Sequence, residues 1–575
     1  MERSLESLES RRKKLYRKLE ALGDFRRGTI SVNYRQCGKS NCACARKDHP
    51  GHGPQYLWNA SVGGKTKARN LPLGRELEKV EKEVERYHEF DRLCQELVEI
   101  NDKICELRPV PVIEDQNELE QLKKKPAEAF RQETEEEIDR LIGRVLRDRQ
   151  QLGHLDLEAS EVAIRAAMHQ MGGLLLAKLL NCDGGGYRGA HIDCGQGHQA
   201  GFVDYRDKGI LTVLSSVEVR RAYYHCPRCE TGLLPKDQEL DIVGTSLSPG
   251  VRRMMGRVGG KESFDQGRGD LEALAGVVVQ TKQVERVSEE LGAQIESICK
   301  QEREAILSGK LAPLLPAVPK FYIAMDGTGV PVVPHETEGR RGKDATGKAK
   351  TREAKLGCVF TQTKEDGKGF PIRDEGSTTY VAAIETAEEF GPRIYAEAVR
   401  RGLRQAQKVI VLGDGGPWIW GIAVHYFPFA TQIVDLYHAR EHLANLGKVV
   451  YGPGSEKASE WTAARKTELD DGDVEAVVIS MKRLRPRQDQ VREEIRKAID
   501  YFQTNKERMR YAEFRRQGLF VGSGVVEAGC KSIMGLRLKQ SGMRWTVAGA
   551  NAIIALRCCQ LSGRWEEFWE SRAAG

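Results

Sequence analysis

Two wholly apolar runs, each halted by an acid among glycines, constrain this chain more than any other feature. Phe321-Tyr322-Ile323-Ala324-Met325 stops at Asp326-Gly327-Thr328-Gly329, and Val409-Ile410-Val411-Leu412 stops at Gly413-Asp414-Gly415-Gly416. Short apolar runs bounded by turn residues have the pattern of buried strands. A third acid, Glu527, lies in Gly522-Ser523-Gly524-Val525-Val526-Glu527, a glycine loop opening a helix. Carboxylates at the ends of adjacent strands converge, and three together repel one another unless a cation sits between them. Such oxygen-rich sites suit Mg²⁺ or Mn²⁺. Two such ions clamp the attacking and leaving oxygens of a phosphodiester. The expected chemistry is metal-dependent phosphoryl transfer on nucleic acid, with Asp326, Asp414 and Glu527 as catalytic residues and metal ligands.

A chain of 575 residues is too long for one core, and three to five domains are expected. Met171–Leu180 is apolar but short and interrupted by Lys178, so it does not read as a membrane span. The charged start, Met1-Glu2-Arg3-Ser4, lacks a following apolar segment, so no signal peptide is expected and the expected location is the cytoplasm. Net charge is only +7, which by itself says little about nucleic acid. Its distribution says more. Residues 340–355, 482–487 and 531–544 are basic stretches around the acids and could neutralise backbone phosphates. Each alone reads equally well as a solvated surface.

Leu5, Leu8, Leu15, Leu19 and Leu22 form one helical stripe, and Leu77, Val80, Val84, Tyr87, Leu97, Ile104 and Leu107 form another. Two such helices suit an antiparallel hairpin or a dimer seam. Residues 28–34, 55–62 and 65–71 between them alternate like strands, with Gly63-Gly64 as a hairpin turn. The expected order is a helical hairpin with a small β/Cys cluster over 1–110, a helical segment over 113–180, and a ribbon-like segment over 181–240. Helices follow over 241–310. The core spans 320–445, a charged helical block 446–520, and the last part of the core with a tail 521–575.

Fourteen cysteines in a reducing compartment should be thiols or metal ligands. Cys94, Cys105, Cys299, Cys358, Cys558 and Cys559 read as core packing. Cys194-x3-His198 with Cys226-x2-Cys229 has the spacing of a structural zinc ribbon, its strands over 209–214 and 217–224. Cys182 or His191 could replace His198 as fourth ligand. Cys37-x4-Cys42-x-Cys44, with His49 and His52 nearby, is a second candidate zinc site. Residues 270–292 fit a helix-turn-helix, with a turn over 276–280 and Thr281 capping a second helix. Lys282, Gln283 and Arg286 would then face DNA. An ordinary helical hairpin explains the same pattern.

Several motifs occur together in order. They are residues 324–329 (AMDGTG), 351–357 (TREAKLG), 412–415 (LGDG) with Trp418-Ile419-Trp420, 435–442 (DLYHAREH), 522–527 (GSGVVE) and 537–545 (RLKQSGMRW). Over about residues 150–560 the chain resembles DDE transposases of bacterial insertion sequences, most closely the ISKra-type family. The resemblance implies an RNase H-like core, with Asp326 ending its first strand, Asp414 its fourth, and Glu527 on a later helix. The long stretch between Asp414 and Glu527 then implies a helical insertion near 446–520. Asp435-x2-His438 resembles the (C/D)-x2-H motif of transposases with such insertions, which puts Asp435 and His438 beside the site.

The fold class expected is therefore multidomain α+β and α/β. An RNase H-like core with a helical insertion follows zinc-ribbon and helix-turn-helix modules and an N-terminal helical hairpin. The activity expected is cleavage at transposon ends and strand transfer into target DNA, using two Mg²⁺ or Mn²⁺ ions, with structural Zn²⁺. The partners are double-stranded DNA and a second copy of the chain. Arg352, Lys355, Arg537, Lys539, Arg544 and Trp545 join the DNA-facing set. Trp418 and Trp420 read as packing residues. The rivals are a non-catalytic DNA-binding regulator and a nuclease that cuts without joining.

Overall fold

A computed structural model describes residues 5–46, 48–62, 65–108, 135–136, 139–140, 156–310, 315–342 and 347–573. Most of 113–155, expected to be helical, lies outside the described residues. The chain divides into two compact units, Met1–Glu133 and Thr134–Gly575. Together they make a multidomain mixture of sheets and many helices. Among the described residues, no helix is long and apolar enough to cross a membrane.

In the first unit, helix α1 (Leu5–Glu20) lies along α2 (Arg75–Leu107). Leu8 and Leu15 are buried against Leu93, Ile100 and Ile104. The leucine stripes therefore close on one another within the chain. Strands β1 (Thr29–Arg35), β2 (His52–Val62) and β3 (Lys65–Leu71) form an antiparallel sheet in that order. Ile30, Tyr56, Trp58 and Leu71 seat it on Leu77, Val80 and Val84 near the start of α2. One long helix thus serves both a helix partner and a sheet. Cys105, expected in a core, is exposed near the end of α2, beyond the buried stripe.

The second unit includes α3 (Leu157–Asn181) and a four-stranded antiparallel sheet. Its strands are β4 (His191–Asp193), β5 (Gln199–Leu211), β6 (Ser216–Cys226) and β7 (Thr231–Leu233). The strand expected through Leu214 ends at Leu211, because the Thr212 hydroxyl donates to the Ser215 carbonyl at 2.7 Å and closes a tight turn. The short α4 (Pro235–Glu239) follows, then α5 (Pro249–Lys261), α6 (Phe264–Ala275) and α7 (Thr281–Leu307). Gly276 ends α6 in the left-handed conformation.

The core sheet has five strands. Strands β8 (Val318–Pro331), β9 (Thr351–Gln362) and β12 (Thr379–Ala383) form an antiparallel meander. A small ribbon, β10 (Lys364–Glu365) with β11 (Pro371–Ile372), interrupts it. After helix α8 (Ala387–Arg400), strand β13 (Ala406–Gly413) pairs parallel with β8. After α9 (Pro417–Tyr426), β14 (Thr431–Val434) pairs parallel with β13. Counting only these strands, the order is third, second, first, fourth, fifth. Phe321 to Met325 and Ile410 to Leu412 are fully buried, as their unbroken apolar runs require.

Helix α10 (Leu436–Tyr451) leads into a helical block, α11 (Glu456–Asp470), α12 (Val474–Lys482), α13 (Asp489–Thr504) and α14 (Tyr511–Arg516). The chain returns through α15 (Gly524–Gly529), a π-helical turn over Cys530–Gly535, α16 (Leu536–Leu538), α17 (Val547–Leu561) and α18 (Trp565–Ala573). The buried face of α7 packs on α17 so closely that a Cβ on Gly292 would lie 2.0 Å from the Ala552 carbonyl oxygen.

That approach is backbone on backbone, so no side-chain rotation relieves it. Gly292→Ala should therefore destabilise the second unit by about 1–3 kcal/mol, as overpacking does. Gly421→Ala, at a helical position with open space, should be neutral or stabilising by up to about 1 kcal/mol. Urea unfolding of both variants checks the contrast.

Candidate active site

The site begins with strand register. Met325 of β8 stands opposite Gly413 of β13, and β13 ends there. Asp326, the next residue of β8, and Asp414, the first residue beyond β13, therefore follow opposed residues of two adjacent parallel strands. β8 itself does not end at Asp326. It runs on to Pro331, with Asp326 opposite Leu356 and Gly327 opposite Lys355. Its antiparallel partner β9 continues to pair with it, and glycines do not break a strand whose ladder is intact. The acid therefore sits at the point where one neighbour stops and the other carries on.

Asp326 accepts the Gly327 N–H at 2.7 Å and the Cys530 thiol at 3.4 Å. Burial pushes its carboxyl above the usual carboxylate range. Gly327 and Cys530 oppose the shift, while Asp414 adds to it. Burial also pushes the Cys530 thiol up, which keeps it a donor. Asp414 accepts the Gly416 N–H at 2.8 Å. Its carbonyl accepts the Tyr501 hydroxyl at 3.0 Å, so a residue of the helical block reaches the second acid.

Asp435, expected beside the site, is fully buried and acts as a staple. Its side chain caps α10 by accepting the His438 N–H at 2.6 Å and also accepts the Ser523 N–H. Its own N–H donates to the Gly413 carbonyl at 2.8 Å. One residue thus ties three places: its backbone N–H holds the end of β13, and its carboxylate holds the start of α10 and the loop leading to Glu527. His438 lies close enough to Asp326 that its charge lowers the acid's pKa. Its ring meets that of His442 edge-on at 4.9 Å, and His442 stacks on Tyr501 at 4.3 Å. Burial, then His438, depresses the His442 pKa.

Glu527 is exposed on α15, one turn before Cys530 in the same helical run. That run contacts β8 through Cys530, on the strand that carries Asp326. Among the described residues, the three acids do not form a group whose oxygens lie within 4.8 Å of one another. Two are neighbours on the sheet, and the third approaches from the helix.

The expected DNA-facing residues separate into two sets. Lys282, Arg286, Lys539 and Arg544 are exposed. Lys539 donates to the Thr328 hydroxyl, two residues beyond Asp326, and Lys282 pairs with Glu285 at 2.7 Å. The others face inward. Arg537 is fully buried, donates to the Gly259 carbonyl at 2.8 Å, and lies over the Phe264 and Trp545 rings. Burial lowers its pKa to about 10. Trp545 is buried, with its indole N–H on the Leu538 carbonyl at 3.1 Å. Lys355 is buried between Glu353, the Glu385 carbonyl and the Trp418 ring. Arg352 is half-buried and donates to the Glu336 carbonyl at 3.3 Å. Gln283 closes a capping box with Gln280, which caps the second helix in place of Thr281. Basic sequence marked these positions, but packing uses their hydrocarbon stems and rings. Trp418 and Trp420 lie on α9, Trp420 buried and Trp418 half-buried.

Two Cys/His groups among the described residues could hold a metal ion. Cys194, His198, Cys226 and Cys229 converge, with Cys194 and Cys229 sulfurs 3.7 Å apart and His198 Nδ1 at 3.1 Å from Cys229. Cys182 and His191 stand outside this group, and the Cys182 thiol donates to the Leu179 carbonyl. The second group is Cys37, Cys42, Cys44 and His52. His49 is not in it, and its ring instead accepts the Gly51 N–H. Four N/S ligands in each group suit tetrahedral Zn²⁺.

A family model described as a domain of unknown function, DUF6788, matches residues 5–82. No curated protein matches the chain. Among solved structures, the chain is similar to the Drosophila P element transposase strand transfer complex at 8% identity. The alignment covers 58% of this chain and 84% of that one, with a TM-score of 0.21. So loose a superposition carries no argument about fold or activity.

Sequence reading did not find Cys530, Tyr501 or His442. Cys530 follows Glu527 at helical spacing, a signal that was available. Tyr501 had none, because a helix remote in sequence brings it to Asp414.

Asp326 has a raised pKa in the folded chain, so folding disfavours its charged form. That penalty is full above the folded pKa and vanishes below the unfolded value. In metal-free buffer at neutral pH, Asp326→Asn should raise Tm by about 1–3 °C, with the gain shrinking as pH falls through the raised folded pKa and gone below about 4. Calorimetry across pH checks this.

Proposed function

We propose that this chain is a DDE-type transposase built on an RNase H-like core, akin to the ISKra-type family. The observation that carries the reading is the placement of Asp326 and Asp414 immediately after register partners Met325 and Gly413 on adjacent parallel strands. The sheet order of third, second, first, fourth, fifth supports the same core, and Glu527 enters from the helical run that touches Asp326 through Cys530.

The donor set fits Mg²⁺ or Mn²⁺. It consists of carboxylate oxygens, and Asp326 is disfavoured as an anion in a way that a neighbouring cation relieves. Asp326 and Asp414 would hold the ions and Glu527 would complete the set. When bound, the metals supply an acidic water and stabilise a leaving 3′-oxygen. Within this reading the protein's own groups do the rest. Gly327, Cys530 and Gly416 orient the two carboxylates by donating to them. Tyr501 holds the Asp414 backbone, and Asp435 fixes the strand end beneath it. Lys539 and Arg544 face the DNA backbone, with Lys282 and Arg286 on the first turns of α7 as a second contact. The ribbon of β4–β7 holds one structural zinc through Cys194, His198, Cys226 and Cys229. Joining two transposon ends to a target requires two copies of the chain acting together.

The test is a cleavage and strand-transfer assay with labelled ends of the flanking DNA and a plasmid target, in Mg²⁺ or Mn²⁺ and in EDTA. Asp326→Asn, Asp414→Asn and Glu527→Gln should each abolish cleavage, by at least about 10³-fold, and leave end binding intact. Cleavage without joining would make the chain a nuclease. Specific binding with neither reaction would make it a regulator. Tyr501→Phe, which keeps the ring stack and removes the hydroxyl, should slow cleavage about tenfold while binding is unchanged.

A further inference from the structure

The charge of this chain is concentrated in one place. Residues 24–75 hold ten Lys and Arg against two Asp and Glu, a surplus larger than that of the whole chain, +7. This segment is the small sheet of the first unit and the loop between β1 and β2. Within that loop Cys37, Cys42, Cys44 and His52 converge, their ligand atoms all within 4.8 Å of one another. Cys37 and Cys44 sulfurs are 3.4 Å apart, and Cys42 Sγ is 3.0 Å from His52 Nε2. A tetrahedral zinc with bonds of about 2.0–2.3 Å sets its ligands about 3.5–3.8 Å apart, so a small outward relaxation admits the ion. A disulfide would need two sulfurs at about 2.05 Å and would leave His52 unused.

The ligands lie at the ends of the sheet strands. Arg35, last residue of β1, pairs in register with His52, first residue of β2. Cys37 follows one strand, His52 begins the other, and Cys42 and Cys44 come from the loop they span. The loop has little apolar content to hold it, and among its described residues Cys44 and Gly51 are the buried ones. Arg35, Lys39 and Arg46, each two residues from a ligand cysteine, are exposed. Arg26, before β1, and Arg69, on β3, are instead spent on Glu83 and Glu76.

We propose that Cys37, Cys42, Cys44 and His52 bind one Zn²⁺, which folds the β1–β2 loop into a basic lobe that binds the phosphate backbone of nucleic acid through Arg35, Lys39 and Arg46. Binding ionises three thiols, whose protons leave to solvent, and uses the neutral His52 ring. A loop closed by one metal would hold the cations at fixed separations, which lowers the ordering cost of phosphate contact. This function is independent of the phosphoryl-transfer reading, since it involves neither the acids nor the core sheet.

The test uses the full chain and two readouts. Zinc per chain is measured by elemental analysis after gel filtration. Cys42→Ser and His52→Ala should each lose one equivalent, and Cys226→Ser should lose a different one. His52→Cys, which restores four ligands, should retain the full content even if the alanine variant folds poorly. Unchanged zinc in both Cys42→Ser and His52→Ala, or zinc lost in His52→Cys as in His52→Ala, would overturn the site. Affinity for a random-sequence DNA duplex is measured by anisotropy against salt. Lys39→Glu with Arg46→Glu should keep the zinc, weaken binding about tenfold or more, and lower the salt slope by about 2. Unchanged affinity and slope would overturn the phosphate-binding lobe. Neither readout involves strand cleavage, so a failure here is separable from a failure of the phosphoryl-transfer reading.

Discussion

The parallel pairing of β8 with β13 is the interaction on which the rest of the second unit depends. Its hydrogen bonds run from Val318 and Ala406 to Met325 and Gly413. Its side chains are fully buried over Phe321–Met325 and Ile410–Leu412. With both faces buried, the ends of the apolar runs hold the register, because a slip of one residue would draw Asp326 or Asp414 into the buried stretch. Register in turn decides that Asp326 and Asp414 follow opposed residues. The electrostatic consequence is visible in Asp326, whose carboxyl is pushed up by burial and by its neighbour. The sheet therefore spends part of its stability in holding an unfavourable acid pair, as functional sites commonly do.

Two further contacts keep that pair in place, and both come from far along the chain. Asp435 binds the Gly413 carbonyl, caps α10 and receives the Ser523 N–H. Loss of this buried carboxylate would leave two backbone N–H groups, those of His438 and Ser523, without partners. Tyr501 reaches the Asp414 carbonyl from α13 and carries the His442 ring on its face. The helical block is thus built into the sheet edge where the acids lie. Its packing and the geometry of Asp414 are coupled, so motion of the block is felt at the acid.

Arg537 and Trp545 show how a basic motif misleads. They occur in a stretch rich in lysine and arginine, yet the guanidinium lies fully buried against two aromatic rings. An arginine brings a long hydrocarbon stem and a flat cation, and a bundle core with a spare carbonyl, here Gly259, accommodates both. Lys355 is buried for a similar reason, against Trp418 and Glu353. Composition cannot distinguish such residues from the exposed Lys539 and Arg544, because the difference lies in which helix packs over them.

By itself the sequence determined the elements whose signals are local. Unbroken apolar runs made buried strands, leucines at helical spacing made the α1–α2 pair, and four ligands at ribbon spacing made the Cys194 group. It also marked Asp326 and Asp414 by the glycines around them. Tertiary structure alone decided that β8 continues past Asp326, since that depends on β9 still pairing with it. It alone chose His198 over Cys182 and His191, and His52 over His49, because ligand choice follows from where side chains meet. It alone brought Tyr501 and Cys530 to the acids. Those contacts join residues far apart in the chain, and no local pattern of charge or hydrophobicity encodes a meeting that depends on the packing of every element between them.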